Sequence, residues 1–208
     1  MLRKRKRIAK KEVRSPGRPR AFDPGQALER ALRIFWERGY DGASMADLTR
    51  TMRINRPSLY AAFGNKEQLF RKALDRYAQN RASYVREGLQ EATARGAAEK
   101  ILFGAAEALV TPGTPRGCLL VQGALTCGAA SRGIQRELCA RRGAAEALLR
   151  QRLERATQEG DLPGEAGPAE LASYVMTVLH GMSVQAVGGA TAAKLRTIAE
   201  RAMRAWPA

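Results

Sequence analysis

Four helix-capping residues, Asp23, Ser44, Asn55 and Asn65, each stand at the head of a short helical pattern, and this punctuation leaves residues 20–82 little choice of fold. Asp23 is followed by Pro24 at the first helical position, where a missing N–H costs nothing. Leu28, Ala31, Leu32 and Phe35 then recur at i, i+3, i+4 and i+7, one apolar face. Gly39 ends that helix, and Tyr40 can fold back against it. Ser44 opens a second helix holding Met45, Leu48 and Met52. Asn55 opens a third over about Arg56–Phe63, stopped by Gly64. Asn65 and Gln68 form a capping box at the start of a fourth, which carries Leu69, Phe70 and Leu74 and is expected to run on past Tyr84 and Leu89. Only about three residues separate helices two and three, the spacing of a helix-turn-helix.

The remainder predicts five more helices, near 97–110, 118–130, 133–158, 168–188 and 191–205. Pro112 and Pro115, the stretch Gly160–Gly164, and Gly188-Gly189 break them apart. Ala, Leu, Arg and Glu are abundant, and no run of alternating β-branched residues argues for a strand. The expected fold is therefore all-α: an N-terminal three-helix helix-turn-helix domain (20–82), joined by a long fourth helix to a helical C-terminal domain (83–208).

Charge is unevenly spread. The chain carries a formal +16 with a pI near 10.7, and residues 1–20 alone hold +9 of it, with Glu12 as their single acid. Residues 1–19 lack the apolar content to fold and read as a disordered basic arm. A solubilising tail would look similar, but a basic arm beside a globular domain points to a polyanionic partner, above all nucleic acid. No apolar segment follows the basic N-terminus as a secretory signal would, and no stretch reaches the roughly 18 apolar residues of a membrane span. Cys118, Cys127 and Cys139 are odd in number and widely spaced, and His180 is the sole histidine, so neither a disulfide framework nor a metal site is expected. The reading is a cytoplasmic protein without cofactor.

Helix three has more polar and aromatic surface than folding needs. Leu59, Ala62 and Phe63 share one side and can anchor it; Arg56, Pro57, Ser58, Tyr60 and Ala61 fan across the other. A DNA major groove accepts one α-helix, whose first turns approach the base edges. There Arg56 can donate to guanine or phosphate, Ser58 can bond either, Tyr60 offers a hydroxyl and a flat ring, and Pro57 and Ala61 let the backbone come close. Ser44 heads helix two, where a hydroxyl and free amides suit a phosphate. Lys66 heads helix four, where a cation is unfavourable unless an anion sits beside it.

These residues carry a family resemblance. The stretch from Phe22 to Leu74, with Gly39-Tyr40 closing helix one, the Ser44 cap, Leu59-Tyr60 in helix three and Phe63-Gly64-Asn65-Lys66-Glu67-Gln68-Leu69-Phe70, resembles the DNA-binding domain of TetR-family transcriptional regulators. The resemblance implies an all-α dimer that represses transcription from a palindromic operator until a small ligand binds. It also implies DNA-facing roles for Ser44, Arg56, Pro57, Ser58, Tyr60 and Lys66. The stretch Pro115–Leu120 is similar to a Gly-Cys-Leu element of one subgroup. Where the family usually has Gly in the turn between helices two and three, this chain has Arg53. A left-handed backbone there costs a non-Gly residue about 1–2 kcal/mol, which Arg53 can offset at a phosphate. Gly17-Arg18-Pro19-Arg20 is similar to the core of minor-groove AT-hook peptides, and narrow A·T-rich grooves attract arginine in any case, which assigns Arg18 and Arg20 to that groove.

In the C-terminal half, Leu171, Tyr174, Val175, Val178 and Leu179 form one stripe and Leu195, Ile198, Ala199 and Met203 another. Both read either as intramolecular core or as a homodimer surface made by the last two helices; a two-fold operator favours the dimer. A ligand pocket among the middle helices would draw on Phe103, Cys118, Gln122 and Tyr174. Cys118 follows Arg116 at a helix start, which would favour its thiolate and suit an electrophile or oxidant sensor; the alternative is a small buried hydrophobe. Three functions stay in play: a ligand-released repressor, a nucleic-acid-coating protein driven by its arm, and an enzyme. The last lacks any catalytic constellation.

Overall fold

The computed structural model describes residues 22–207, and among them every regular element is helical. The ten α-helices are α1 (Pro24–Gly42), α2 (Met45–Met52), α3 (Arg56–Phe63), α4 (Lys66–Asn80), α5 (Ser83–Gly88), α6 (Ala94–Ala108), α7 (Leu119–Leu125), α8 (Arg132–Gln158), α9 (Pro168–Val187) and α10 (Ala192–Arg204). The basic arm, with Arg18 and Arg20, lies outside the described residues.

The caps act as their side chains dictate. Asp23 accepts from the Gly25 and Gln26 N–H groups, Asn55 from Ser58, and Asn65 from Gln68, whose own side chain accepts the Asn65 N–H to complete the box. Gly39 breaks the helical path at φ 71°, where a Cβ would lie 2.7 Å from Thr126 Oγ1, so this point serves both the turn and the approach of another element. Tyr40 folds back as expected, stacked on Phe35 with ring centroids 6.3 Å apart and edge-on to Phe70 at 5.2 Å. Phe35 meets Phe70 at 4.9 Å and Trp36 meets Tyr77 at 4.9 Å, so α1 and α4 are locked by aromatic edges. Glu29 pairs with both Arg76 and Arg81 along the same seam.

The fourth helix is shorter than its periodicity predicts. It ends at Asn80; the N–H groups of Arg81 and Ala82 both donate to Tyr77 O, and the chain turns before resuming as α5. The cause is tertiary. Tyr84 and Gly88 press onto α6 so closely that a Cβ on Gly104 would sit 2.5 Å from Tyr84 Cβ. One straight helix could not follow α1 and also lie on α6.

Of the two readings open for the stripe on the last helix, packing within the chain is the one seen here. Leu195, Ala199, Ala202 and Met203 of α10 are buried against α6 and α9, leaving Lys194, Arg196, Glu200 and Arg201 outside. The apolar face left open belongs to α9, where Tyr174, Thr177, Gly181, Val184 and Gly188 recur at three- and four-residue steps.

Helix α7 is the hub between the two halves of the chain. It touches α1, α4, α8 and α9. The turn before it depends on Gly117 at φ 82°, where a Cβ would meet Gln122 Nε2 at 1.9 Å and Val187 Cγ2 at 2.7 Å. Arg116 fixes that turn on the end of α9, donating to Ala186 O at 2.7 Å and to Ala190 O.

Candidate nucleic-acid interface

Helix α3 is attached by one side only. Leu59 and Phe63 are buried, with Phe63 against Phe22 at 6.4 Å, while Arg56, Pro57, Tyr60 and Ala61 are exposed and Ser58 is half-buried. Tyr60 keeps 52 % of its surface open, and neither it nor Arg56 donates a side-chain hydrogen bond within the described residues. An exposed aromatic ring beside an unengaged guanidinium is a surface free to read a partner.

Lys72, absent from the sequence expectations, steadies this face. Its ammonium donates to Ala62 O and Phe63 O at 3.3 Å, satisfying carbonyls that the end of α3 leaves open, and lies 5.7 Å from the Phe63 ring. A lysine of α4 thereby fixes the far end of α3.

Arg53 is the sole described non-Gly residue with positive φ, at φ 58° and ψ 43°. Its N–H donates to Arg50 O and the Ile54 N–H to Thr49 O, each at 3.2 Å, so the turn keeps the backbone bonds of a left-handed helix cap without a glycine. The strain is accepted and the side chain is exposed.

Two expected phosphate contacts are more occupied than the sequence implies. Ser44 accepts the Asp47 N–H at 3.0 Å and donates to Asp47 Oδ2 at 2.7 Å, so its hydroxyl is committed to a carboxylate at the start of α2. That bond, more than the neighbouring Arg38 and Arg50, holds Asp47 below its ordinary carboxylate range. The S-x-x-D spacing could have signalled this pairing. Lys66 is half-buried, its ammonium 4.4 Å from the Tyr40 ring centroid; burial lowers its pKa and Asp41 opposes that shift.

Behind this face, Asp41 ties the helix-turn-helix to the rest of the chain. It accepts the Gly128 N–H at 2.7 Å and the Ser131 hydroxyl, and these bonds, the hydroxyl first, hold its carboxyl below the usual range. An ion-pair chain runs parallel to it: Arg71 to Glu137 at 2.7 Å, Arg141 to Glu137 at 3.1 Å, and Arg141 to Asp75 at 2.7 Å, joining α4 to α8.

The residues expected around a ligand are spread over three elements, with Cys118 and Gln122 one turn apart at the start of α7. Cys118 is buried at the start of α7, its N–H donating to Ser183 Oγ at 2.8 Å. The phenols of Tyr77 and Tyr84 lie next to it and are pushed well above their usual range, chiefly by burial. Arg116, the cation expected to favour a Cys118 thiolate, spends its guanidinium on the α9 carbonyls. Gln122 donates to Arg116 O at 3.0 Å, Phe103 is half-buried on α6, and Tyr174 sits on the outer edge of α9 with its hydroxyl 3.4 Å from Ala202 O. A cavity of about 240 Å3 lies elsewhere, between Glu29, Leu32, Arg33 and Trp36 of α1 and residues 113–115.

Residues 27–73 match the bacterial regulatory proteins of the tetR family. The chain is similar to the HTH-type transcriptional repressor ComR of Escherichia coli (strain K12), 34 % identical over 196 residues covering 93 % of each. It is also similar to the HTH-type transcriptional repressor BdcR of the same organism, 38 % identical over 56 % of this chain and 59 % of that one. Among solved structures it resembles a cysteine mutant of the TetR family transcriptional regulator CifR complexed with 26-bp double-strand operator DNA. That likeness has 44 % identity and a TM-score of 0.87, and it covers 92 % of this chain and 100 % of CifR.

Proposed function

Since the chain belongs to the tetR family of bacterial regulatory proteins, we propose that it is a transcriptional repressor that grips a palindromic operator as a homodimer and releases it when a small molecule binds its C-terminal domain. It is a regulator, not an enzyme. The observation that carries the DNA-binding role is the outer face of α3, held to the core through Leu59 and Phe63 and unengaged at Arg56 and Tyr60.

Arg56, Pro57, Ser58 and Tyr60 enter the major groove and read base edges. Arg53, beside the turn, and Lys66, at the head of α4, take flanking phosphates. At α2 the backbone amides do this work and Ser44 orients them, since its hydroxyl already serves Asp47. Arg18 and Arg20 follow the adjacent minor groove. Two copies pair through the open stripe of α9, which places two α3 helices about one DNA turn, roughly 34–36 Å, apart. Residues 20–82 bind DNA and residues 83–208 dimerise and receive the ligand, in the cytoplasm where the operator lies. A ligand acts only through its different affinity for two arrangements of the α3 pair. The contacts of α7 with α1, the Asp41 bonds to Gly128 and Ser131, and the Arg71–Glu137 pair provide the route.

Selection of bound sequences from random DNA tests this reading. A palindromic consensus is expected, with Arg56→Ala or Tyr60→Ala weakening binding to it by about 1–3 kcal/mol and little changed on random DNA. Equal affinity for all sequences would replace the repressor with a nucleic-acid-coating protein.

A further inference from the structure

Helix α8 buries a cation with no counter-ion among the described residues. Arg152 is only 4 % exposed. Its Nη2 donates to Glu91 O at 3.0 Å and Ala92 O at 2.8 Å, in the turn between α5 and α6. Its Nε and Nη1, which carry the other three N–H groups, have no acceptor, and no described carboxylate forms an ion pair with it. A buried guanidinium that lacks both charge and hydrogen-bond partners is among the costliest arrangements in a folded chain. Packing alone does not require it, because Leu149, Leu153 and Ala156 of the same helix already fill the core on that side.

Arg152 also lines a cavity of about 190 Å3, with Leu89, Leu148, Gln151 and Arg155 as the other walls. Two leucines face two arginines and an amide, so the space is apolar on one flank and cationic on the other. We propose that this cleft between α8 and the α5–α6 turn is a binding site for a small organic carboxylate, with Arg152 as its anchor. Nε and Nη1 are covered in the ligand-free chain, so the carboxylate reaches them as the side chains over the cleft shift; it brings the acceptors and the negative charge they lack, and its hydrocarbon part lies along Leu89 and Leu148. Arg155 at the rim, held loosely by Glu159 at 3.5 Å, adds attraction at the entrance. The walls favour a carboxylate over inorganic phosphate, which has no surface to lay on the leucines.

The site braces α8 against α5, which directly follows the DNA-binding helices. As an effector site it rests on the repressor reading above; as a binding site it does not.

The test uses the full-length chain with sodium benzoate, sodium phosphate, and sodium chloride at matched ionic strength, read by titration calorimetry and thermal melting. Benzoate is expected to bind saturably and raise the Tm beyond chloride. Arg152→Gln is expected to weaken benzoate at least about tenfold, the smallest loss for a charge-assisted bond. Leu148 is 51 % exposed, so Leu148→Ala folds normally and is expected to weaken benzoate but not phosphate. Benzoate indistinguishable from chloride, or bound equally by the Arg152→Gln chain, overturns the site. Phosphate bound in preference to benzoate overturns the carboxylate assignment. If Arg152→Gln does not fold, unchanged benzoate affinity in Leu148→Ala overturns the proposal by itself. Benzoate that binds without altering operator affinity leaves the site standing and refutes its effector role; loss of operator binding in ligand-free protein would instead count against the repressor reading.

Discussion

Replacing Arg53 with glycine should stabilise the protein while weakening its grip on DNA. The backbone at Arg53, φ 58° and ψ 43°, is left-handed, and a side chain there costs about 1–2 kcal/mol. Glycine removes that cost but gives back about 0.5–1 kcal/mol through the freer unfolded chain. The turn itself survives, because its two bonds run from the Arg53 and Ile54 amides to Arg50 O and Thr49 O and use no side chain. The net gain is about 0–1.5 kcal/mol per protomer, at most roughly 3–6 °C in Tm for a chain of this size. On DNA the expected sign reverses. If each Arg53 neutralises one phosphate, a dimer loses two contacts, and its salt slope falls by about 1.8. Wild-type affinity should then drop about tenfold more than the variant's for a fourfold rise in salt. Urea unfolding gives the first quantity, and fluorescence anisotropy on the operator across a salt series gives the second. A variant less stable than wild type refutes the strain argument, and an unchanged salt slope refutes the phosphate contact.

Other consequences are separable. Leu59→Ala should cost about 2–5 kcal/mol in urea unfolding, since Leu59 is fully buried and anchors α3. Asp41→Asn should leave the fold intact but loosen residues 128–131, seen as faster amide exchange at Gly128; the stability from Asp41, whose folded pKa is depressed, is present at neutral pH and lost as pH falls through that lowered value. His180 is held below its ordinary 6.5, chiefly by burial and then by Arg142, with Glu146 opposing. The unfolded chain therefore takes up the proton first, stability falls as pH drops below about 6.5, and His180→Gln should flatten that slope in pH-dependent unfolding. Val184→Glu on the open stripe of α9 should yield monomers by analytical ultracentrifugation with the helical signal retained.

Features that depend on a few neighbouring residues were legible from the chain alone. Asp23, Asn55 and Asn65 cap where they stand because an Asn or Asp oxygen reaches an amide two or three residues on, whatever surrounds it. The split of α3 into an anchored and an open side follows from Leu59 and Phe63 being one turn apart. Ser44 is legible only in part: its place ahead of Met45 predicts the cap, whereas the bond from its hydroxyl to Asp47, within the same turn, goes beyond what capping requires.

Features set by distant partners were not legible. Nothing in Asn80-Arg81-Ala82-Ser83 stops a helix as Gly or Pro would; the stop comes from Tyr84 meeting Gly104. The stripe on α10 has the same periodicity as a dimer face and is buried internally because α6 offers it a surface first. The same holds for Asp41 and Arg152, an exposed acid and an ordinary helix arginine by sequence. One becomes a tie between the two halves of the chain and the other a buried, unpartnered cation. Sequence by itself determined an all-helical chain, its caps and its reading helix, because those rest on local hydrogen bonds and period. Only the tertiary structure decided where α4 ends, which helix is left open to a partner, and which charge is left without one, because each depends on contacts between residues far apart in the chain.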